Sequence, residues 1–316
     1  MSACTIPQSV SDQKNAVEKI YGPWTAHNLR LADGVFTMAA GVVGDEVKLR
    51  RIVQIVADLS RRPVGDLRVL DLACLEGMYA IEFARRGAQV VGIEGREANL
   101  EKARFAARSL SLGNIDFRQD DVRNLNESKY GTFDAVLCLG ILYHLDAADA
   151  FRFVENISAT CRNIAIFDTA TSPDAEQSFV WRDKTYWGKS VREHAPNATA
   201  EEKRKNLWAS LDNPSATHFT KVSLSRLLYD VGFTSVYECH IPHEPEKPRE
   251  RVTLMAVKGT TVSPVCCPQL PTDYARSLSE ESSPAVARRG LKLLGRHLPQ
   301  GFKQMLRQVL FSAPQK

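Results

Sequence analysis

Long hydrophobic runs are missing from these 316 residues. No apolar stretch approaches the ~18 residues of a bilayer-spanning helix. The opening MSACTIPQSVSDQKNAVEKI lacks the apolar centre of a secretory signal. Membrane-embedded and secreted classes are therefore not expected. Cysteine is sparse and unpatterned. Cys4, Cys74, Cys138, Cys161 and Cys239 are scattered, and the one close pair, Cys266-Cys267, fits no zinc site. A reduced, cytoplasmic setting follows as the expectation. Acidic residues are absent from Ser282 onward, where Arg288, Arg289, Lys292, Arg296, Lys303, Arg307 and Lys316 carry seven positive charges. Those seven exceed the chain's net charge of +4, so the residues before them carry a net −3. A mildly acidic body argues against a broad nucleic-acid-gripping face.

Glycine is also missing where a phosphate-binding turn would need it. Leu67 to Gly95, LRVLDLACLEGMYAIEFARRGAQVVGIEG, reads as strand, tight turn, helix and strand, one βαβ unit. In its turn, Asp71-Leu72-Ala73-Cys74-Leu75-Glu76-Gly77, only the last residue is glycine. Leu75 and Glu76 would crowd and repel a dinucleotide's pyrophosphate. What is present suits a nucleoside. The helix N-terminus near Gly77 offers free backbone N–H groups. Glu94, ending the second strand, can accept hydrogen bonds from both ribose hydroxyls. S-adenosylmethionine has no phosphate and tolerates this turn.

The turn resembles the first motif of class I S-adenosylmethionine-dependent methyltransferases, a strand ending in Asp-x-Gly-Cys-x-x-Gly. Ala73 replaces the first glycine, which should alter the loop slightly without loss of binding. Phe133 to Leu145, FDAVLCLGILYHL, is similar to the family phrase FDxVxxxxVLxHL. Ser223-Leu224, Leu228, Gly232-Phe233 and Val236 match the familiar family ending. The resemblance covers Val47 to Lys258. It implies an α/β, Rossmann-like, doubly wound seven-stranded sheet over residues 47–258. Residues 1–46 would form a lid, 171–218 a substrate-side insertion, 259–283 a linker and 284–316 a basic amphipathic helical tail.

The resemblance also implies methyl transfer from S-adenosyl-L-methionine to a hydroxyl or amine of a small molecule or glycan. Asp71, Ala73, Cys74, Gly77, Glu94 and Gly95 would hold the cofactor from the first two strands. Asp121, with Asp120 as runner-up, and Val122 would meet the adenine. Leu139 and Gly140 would meet the methionine part. Trp24, His27 and Asn28 of the turn-rich leader would fold over it. Tyr143, His144 and His218 would lie near the transfer, with His144 as candidate base because imidazole titrates near neutral pH.

Several alternatives stay open at this point. The aromatics between Thr171 and Ser215 suit either an acceptor pocket or the core of a helical flap. Gly140-Ile141-Leu142-Tyr143-His144 also resembles the tRNA wobble-uridine carboxymethyltransferase family, so a tRNA acceptor competes with a small one. A non-catalytic cofactor-binding scaffold is a third reading. The tail, split by Pro299-Gln300-Gly301, resembles an interfacial helix pair near anionic lipid. Docking on its own domain, or on a second copy to form a homodimer, competes with that. Catechol methyltransferases hold a metal with an Asp-Asn pair and a further carboxylate. Here Asp168-Thr169 and Leu139-Gly140 stand instead, and no metal is expected.

Overall fold

The computed structural model describes residues 9–38, 46–239 and 250–260. The described residues belong to a unit that ends at Thr260. The expected linker beyond Thr260 and the helical tail lie outside the described residues.

The leader contributes α1 (Val10–Tyr21) and a small hairpin of β1 (Arg30–Ala32) and β2 (Val35–Phe36), followed by α2 (Glu46–Leu59). The alternating core then runs β3 (Arg68–Leu72), α3 (Met78–Arg85), β4 (Gln89–Glu94), α4 (Glu97–Ser109), β5 (Ile115–Gln119), α5 (Glu127–Tyr130), β6 (Phe133–Leu139), α6 (Ala147–Thr160) and β7 (Cys161–Ala170). An insertion supplies β8 (Gln177–Trp181), β9 (Lys184–Arg192), α7 (Ala200–Lys205) and β10 (Ser215–Phe219). The core closes with α8 (Lys221–Asp230), β11 (Ser235–Glu238) and β12 (Arg251–Val257).

The main sheet has seven strands in the order β11-β12-β7-β6-β3-β4-β5. β3 to β7 are parallel, and β12 lies antiparallel between β7 and β11. This is the expected doubly wound architecture. Strands such as Val69 to Leu72 are buried on both faces, which is why they read as unbroken apolar runs. One face packs Val69 and Leu137 against Ile52, Val56, Phe83 and Leu100 from α2, α3 and α4. The other packs Leu70, Leu72 and Val136 against Phe153, Val154 and Leu227 from α6 and α8. Each such fully buried side chain contributes about 1.5–3 kcal/mol. Chain order reverses at β3, which pairs with β4 on one side and β6 on the other. The carboxyl ends of those strands part there, leaving a crevice for ligand.

The insertion is not a helical flap. β8, β9 and β10 form a second, antiparallel sheet in the order β10-β9-β8. Two of its aromatics pack inward: Trp181 stacks on Phe151 of α6 with centroids 5.5 Å apart, and Tyr186 is fully buried beside them, while Trp187 and Trp208 are exposed.

Candidate active site

A cavity of about 420 Å³ is lined by residues at the carboxyl ends of β3, β4, β5 and β6, a size suited to a nucleoside-sized ligand. Ala73, Glu94, Gly95, Val122, Leu139, Gly140, Tyr143 and His144 line it. These eight expected residues come together from four different strand ends, and His27 of the leader and Asp120, the runner-up for the adenine, join them.

The remaining expected residues do not line it. Asp71 is buried beneath the turn and accepts the Ala80 N–H at 3.0 Å. Cys74 is buried in the core. Gly77 has φ +83°, and a Cβ there would meet the Phe117 ring at 2.8 Å. Its role is close packing of helix on sheet, at a backbone angle that suits glycine. Trp24 turns away from the cavity to pack on Phe105 at 5.9 Å. The Asn28 side chain accepts the Met38 N–H at 3.0 Å. His218 sits edge-on to Tyr143 at 5.9 Å, outside the wall. Burial, with Lys189 adding to it, lowers the His218 pKa. The two adjacent acids are placed differently. Asp121 caps the 3-10 turn Val122–Asn124 and pairs with Arg123, while Asp120 reaches the cavity. Burial pushes the Asp120 carboxyl up, but Lys129, Tyr130 and Asn124 outweigh it and bring it down to about 2.

The turn after β3 is built from inside. Ala73 and Leu75 both hold left-handed backbone, φ 52° and 47°. Glu76 is fully buried and does not face a ligand at all. Its carboxylate accepts the N–H groups of Thr25, Ala26 and His27 at 2.8, 3.1 and 2.9 Å and the Lys102 ammonium at 2.8 Å. Lys102 also donates to the Pro23 carbonyl at 2.9 Å. These bonds tie the leader down, so that Thr25, Ala26 and His27 form part of the cavity wall. Glu94 accepts the N–H of Leu75 at 3.0 Å and of Arg96 at 2.8 Å. Burial pushes its carboxyl above the usual range, against the pull of those N–H groups. Burial likewise raises Asp71 to about 7, and the Glu94 charge adds to it.

The opposite wall carries polar chemistry. His144 Nδ1 lies 2.8 Å from Glu193 Oε2. A carboxylate only accepts, so Nδ1 carries the proton and Nε2 remains the basic nitrogen. Tyr143 Oη is 3.2 Å from an Arg251 Nη1 donor. Arg251 Nε donates to Asp168 Oδ1 at 2.5 Å, Thr253 donates to Oδ2 at 2.8 Å, and Lys48 Nζ lies 3.4 Å away. Burial alone would raise Asp168; the cations Lys48 and Arg251 outweigh it and hold the carboxyl low.

Glu193, Arg251, Lys48 and the wall segment 207–211 were not foreseen. For Lys48 a signal existed. It shares the i, i+4, i+8 face of α2 with Ile52 and Val56, all buried. A lysine on an apolar stripe needs a partner.

Residues 69–163 match a family model described as a methyltransferase domain. The ubiquinone biosynthesis O-methyltransferase of Acinetobacter baylyi is 40% identical over 78 residues, 25% of this chain and 33% of that protein. The one from Methylocella silvestris is 35% identical over 120 residues, 38% of this chain and 45% of that protein. The chain thus spans a third to under half of the length of these curated relatives. Among solved structures, the N-terminal domain of EvdMO1, determined with SAH and D-fucose, superimposes with TM-score 0.59 at 23% identity. That match covers 79% of this chain and 97% of that one. A further crystal structure of EvdMO1 gives 0.52 at 19% identity, covering 78% of this chain and 47% of that one. At such identities the likeness is one of fold.

Proposed function

We propose that the chain, whose residues 69–163 match a methyltransferase domain, is a class I, S-adenosylmethionine-dependent enzyme that transfers a methyl group from that cofactor to a hydroxyl of a small-molecule or glycan acceptor. The residues fit the cofactor. Glu94 presents a carboxylate acceptor to a cavity of nucleoside size, suited to two ribose hydroxyls. Leu139 and Gly140 border the methionine side, and Val122 with Asp120 the adenine side. When bound, the cofactor supplies a methyl carbon already activated by its sulfonium.

The chain's own residues bind, orient and deprotonate. The leader at 25–27 and the wall at 207–211 exclude water. Tyr143, braced by Arg251, bounds the acceptor side. His144 takes the acceptor proton at Nε2 while Glu193 fixes the ring through Nδ1. One observation carries this reading: His144, held by Glu193 behind it, stands on the wall of the same cavity that Glu94 lines. A base is useful for a hydroxyl and dispensable for a neutral amine, so the pair favours oxygen. The names of the curated relatives, O-methyltransferases, support oxygen as well. D-fucose in the EvdMO1 structure supports a sugar acceptor.

The test is methyl transfer from labelled S-adenosylmethionine to a panel of sugars and phenols. With the acceptor that reacts, H144Q should lower kcat about 10²–10⁴-fold while SAH affinity holds. An unchanged kcat would remove His144 as the base. From the sequence of the basic tail we propose a second, peripheral contact with anionic lipid at the inner face of a membrane, in competition with docking on its own domain or on a second copy.

A further inference from the structure

Residues 206–211 bring five consecutive residues, Leu207 to Leu211, to the cavity wall. This stretch has no regular helix or strand, so its carbonyls need partners from elsewhere. Arg96 supplies them. It stands at the N-cap of α4, two residues after Glu94. Its Nε donates to the Arg204 carbonyl at 3.2 Å, and its Nη2 to those of Asn206, Ala209 and Ser210 at 2.8, 2.9 and 3.4 Å. Leu211 closes over the neighbouring Gly95, where a Cβ would meet its Cδ1 at 2.5 Å.

Ser210 continues the connection. Its N–H donates to Glu193 Oε2 at 2.7 Å, the same oxygen that receives His144 Nδ1 at 2.8 Å. The Ser210 carbonyl also accepts from His194 Nε2 at 2.9 Å, and its hydroxyl donates to the Asn213 carbonyl at 2.8 Å. At the other end, the Arg96 N–H donates to Glu94 Oε1 at 2.8 Å.

We propose that Arg96 is a positioning residue for His144, acting through the 206–211 segment, Ser210 and Glu193. The proposal rests on the reading of His144 as the base. Two donors on one oxygen hold the Glu193 carboxylate in a single orientation. With the Ser210 N–H withdrawn, that carboxylate is free to turn, and the imidazole loses its fixed Nδ1–H tautomer. Nε2 is then no longer a constant acceptor. A guanidinium suits this task because its planar fork directs five N–H groups at several carbonyls together; an ammonium lacks that fixed geometry. The ribose carboxylate Glu94 and the base His144 thus share one strut.

The test uses the full chain with ¹⁵N-labelled histidine, at a pH where His144 is neutral, with H144Q assigning its signals. Wild type should show the Nδ1–H tautomer. E193A should lose that preference, R96Q should follow E193A, and R96K should lie between. Thermal melts accompany each variant. An R96Q that keeps the wild-type tautomer overturns the proposal and leaves the base reading standing. If R96Q does not fold, R96K carries the comparison, and the wild-type tautomer in it is again the overturning result. A wild-type chain with the proton on Nε2 overturns both this proposal and the base reading. The readout needs neither cofactor nor acceptor, so the failure of either reading is recognisable by itself.

Discussion

Single residues set the chemistry, and Asp71 has a measurable signature. Burial raises its carboxyl to about 7 in the folded chain, against ~3.9 unfolded. Between those values the native state binds the extra proton. The Asp71 contribution to stability is therefore fully present below about pH 4 and lost as pH rises through about 7. Melting temperatures of wild type and D71N from pH 4.5 to 8 should show the variant gaining on wild type across that window. Asparagine keeps an acceptor for the Ala80 N–H, so a gap that stays flat would contradict the assignment. At this scale the sequence was partly legible. Glu94 and Gly140 could be placed because they end strands whose apolar runs are continuous. Asp120 and Asp121 could not be separated, since which of two adjacent acids faces the cavity depends on the turn that follows. Ala73 is left-handed at 52°, which explains why a glycine is usual at that position in the family motif.

Among the elements, the leader is held by one buried ion pair. Glu76 and Lys102 are 1% and 2% exposed at their side chains. Removing one partner leaves a buried charge that only part of the structure can answer. E76A should cost about 3–5 kcal/mol in urea unfolding and expose the leader to trypsin ahead of the core. A loss below about 1 kcal/mol would show that the pair does not hold the leader. The insertion shows where reading the elements failed. β8 and β9 meet through Arg182 and Asp183, both left-handed at φ 50° and 59°. A two-residue hairpin loop of this kind ordinarily carries Asn-Gly or Asp-Gly. Without that signal the alternation of Phe179, Trp181 and Tyr186 was not recognised as strand. Gly188 was a quieter sign. A Cβ there would meet the His218 carbonyl at 2.3 Å, so β9 and β10 approach closely only because it is glycine.

Across the whole molecule, the sheet was legible because each parallel strand is buried on both faces and bounded by turns. The site was less so because its polar partners are remote. Glu193 reaches His144 across 49 positions, Arg251 reaches Asp168 across 83, and Lys48 reaches Asp168 across 120. No local period records such pairs. The net charge also divides at this scale, with seven positive charges after Ser282 on a body of net −3. The tail's sequence holds no apolar run of the ~18 residues that cross a bilayer, so lipid contact through it would be peripheral. Deletion after Ser282 should abolish sedimentation with anionic vesicles at low salt; failure of the full chain to sediment would remove lipid contact from the account. The central claim, that the cavity beside Glu94 binds the cofactor's nucleoside, is tested most directly by calorimetric titration of SAH into the full chain and into E94A, with NAD as control. The account predicts micromolar binding to wild type, about −8 kcal/mol, at least a tenfold loss in E94A and no binding of NAD. Absence of SAH binding, or equal affinity in E94A, would contradict it.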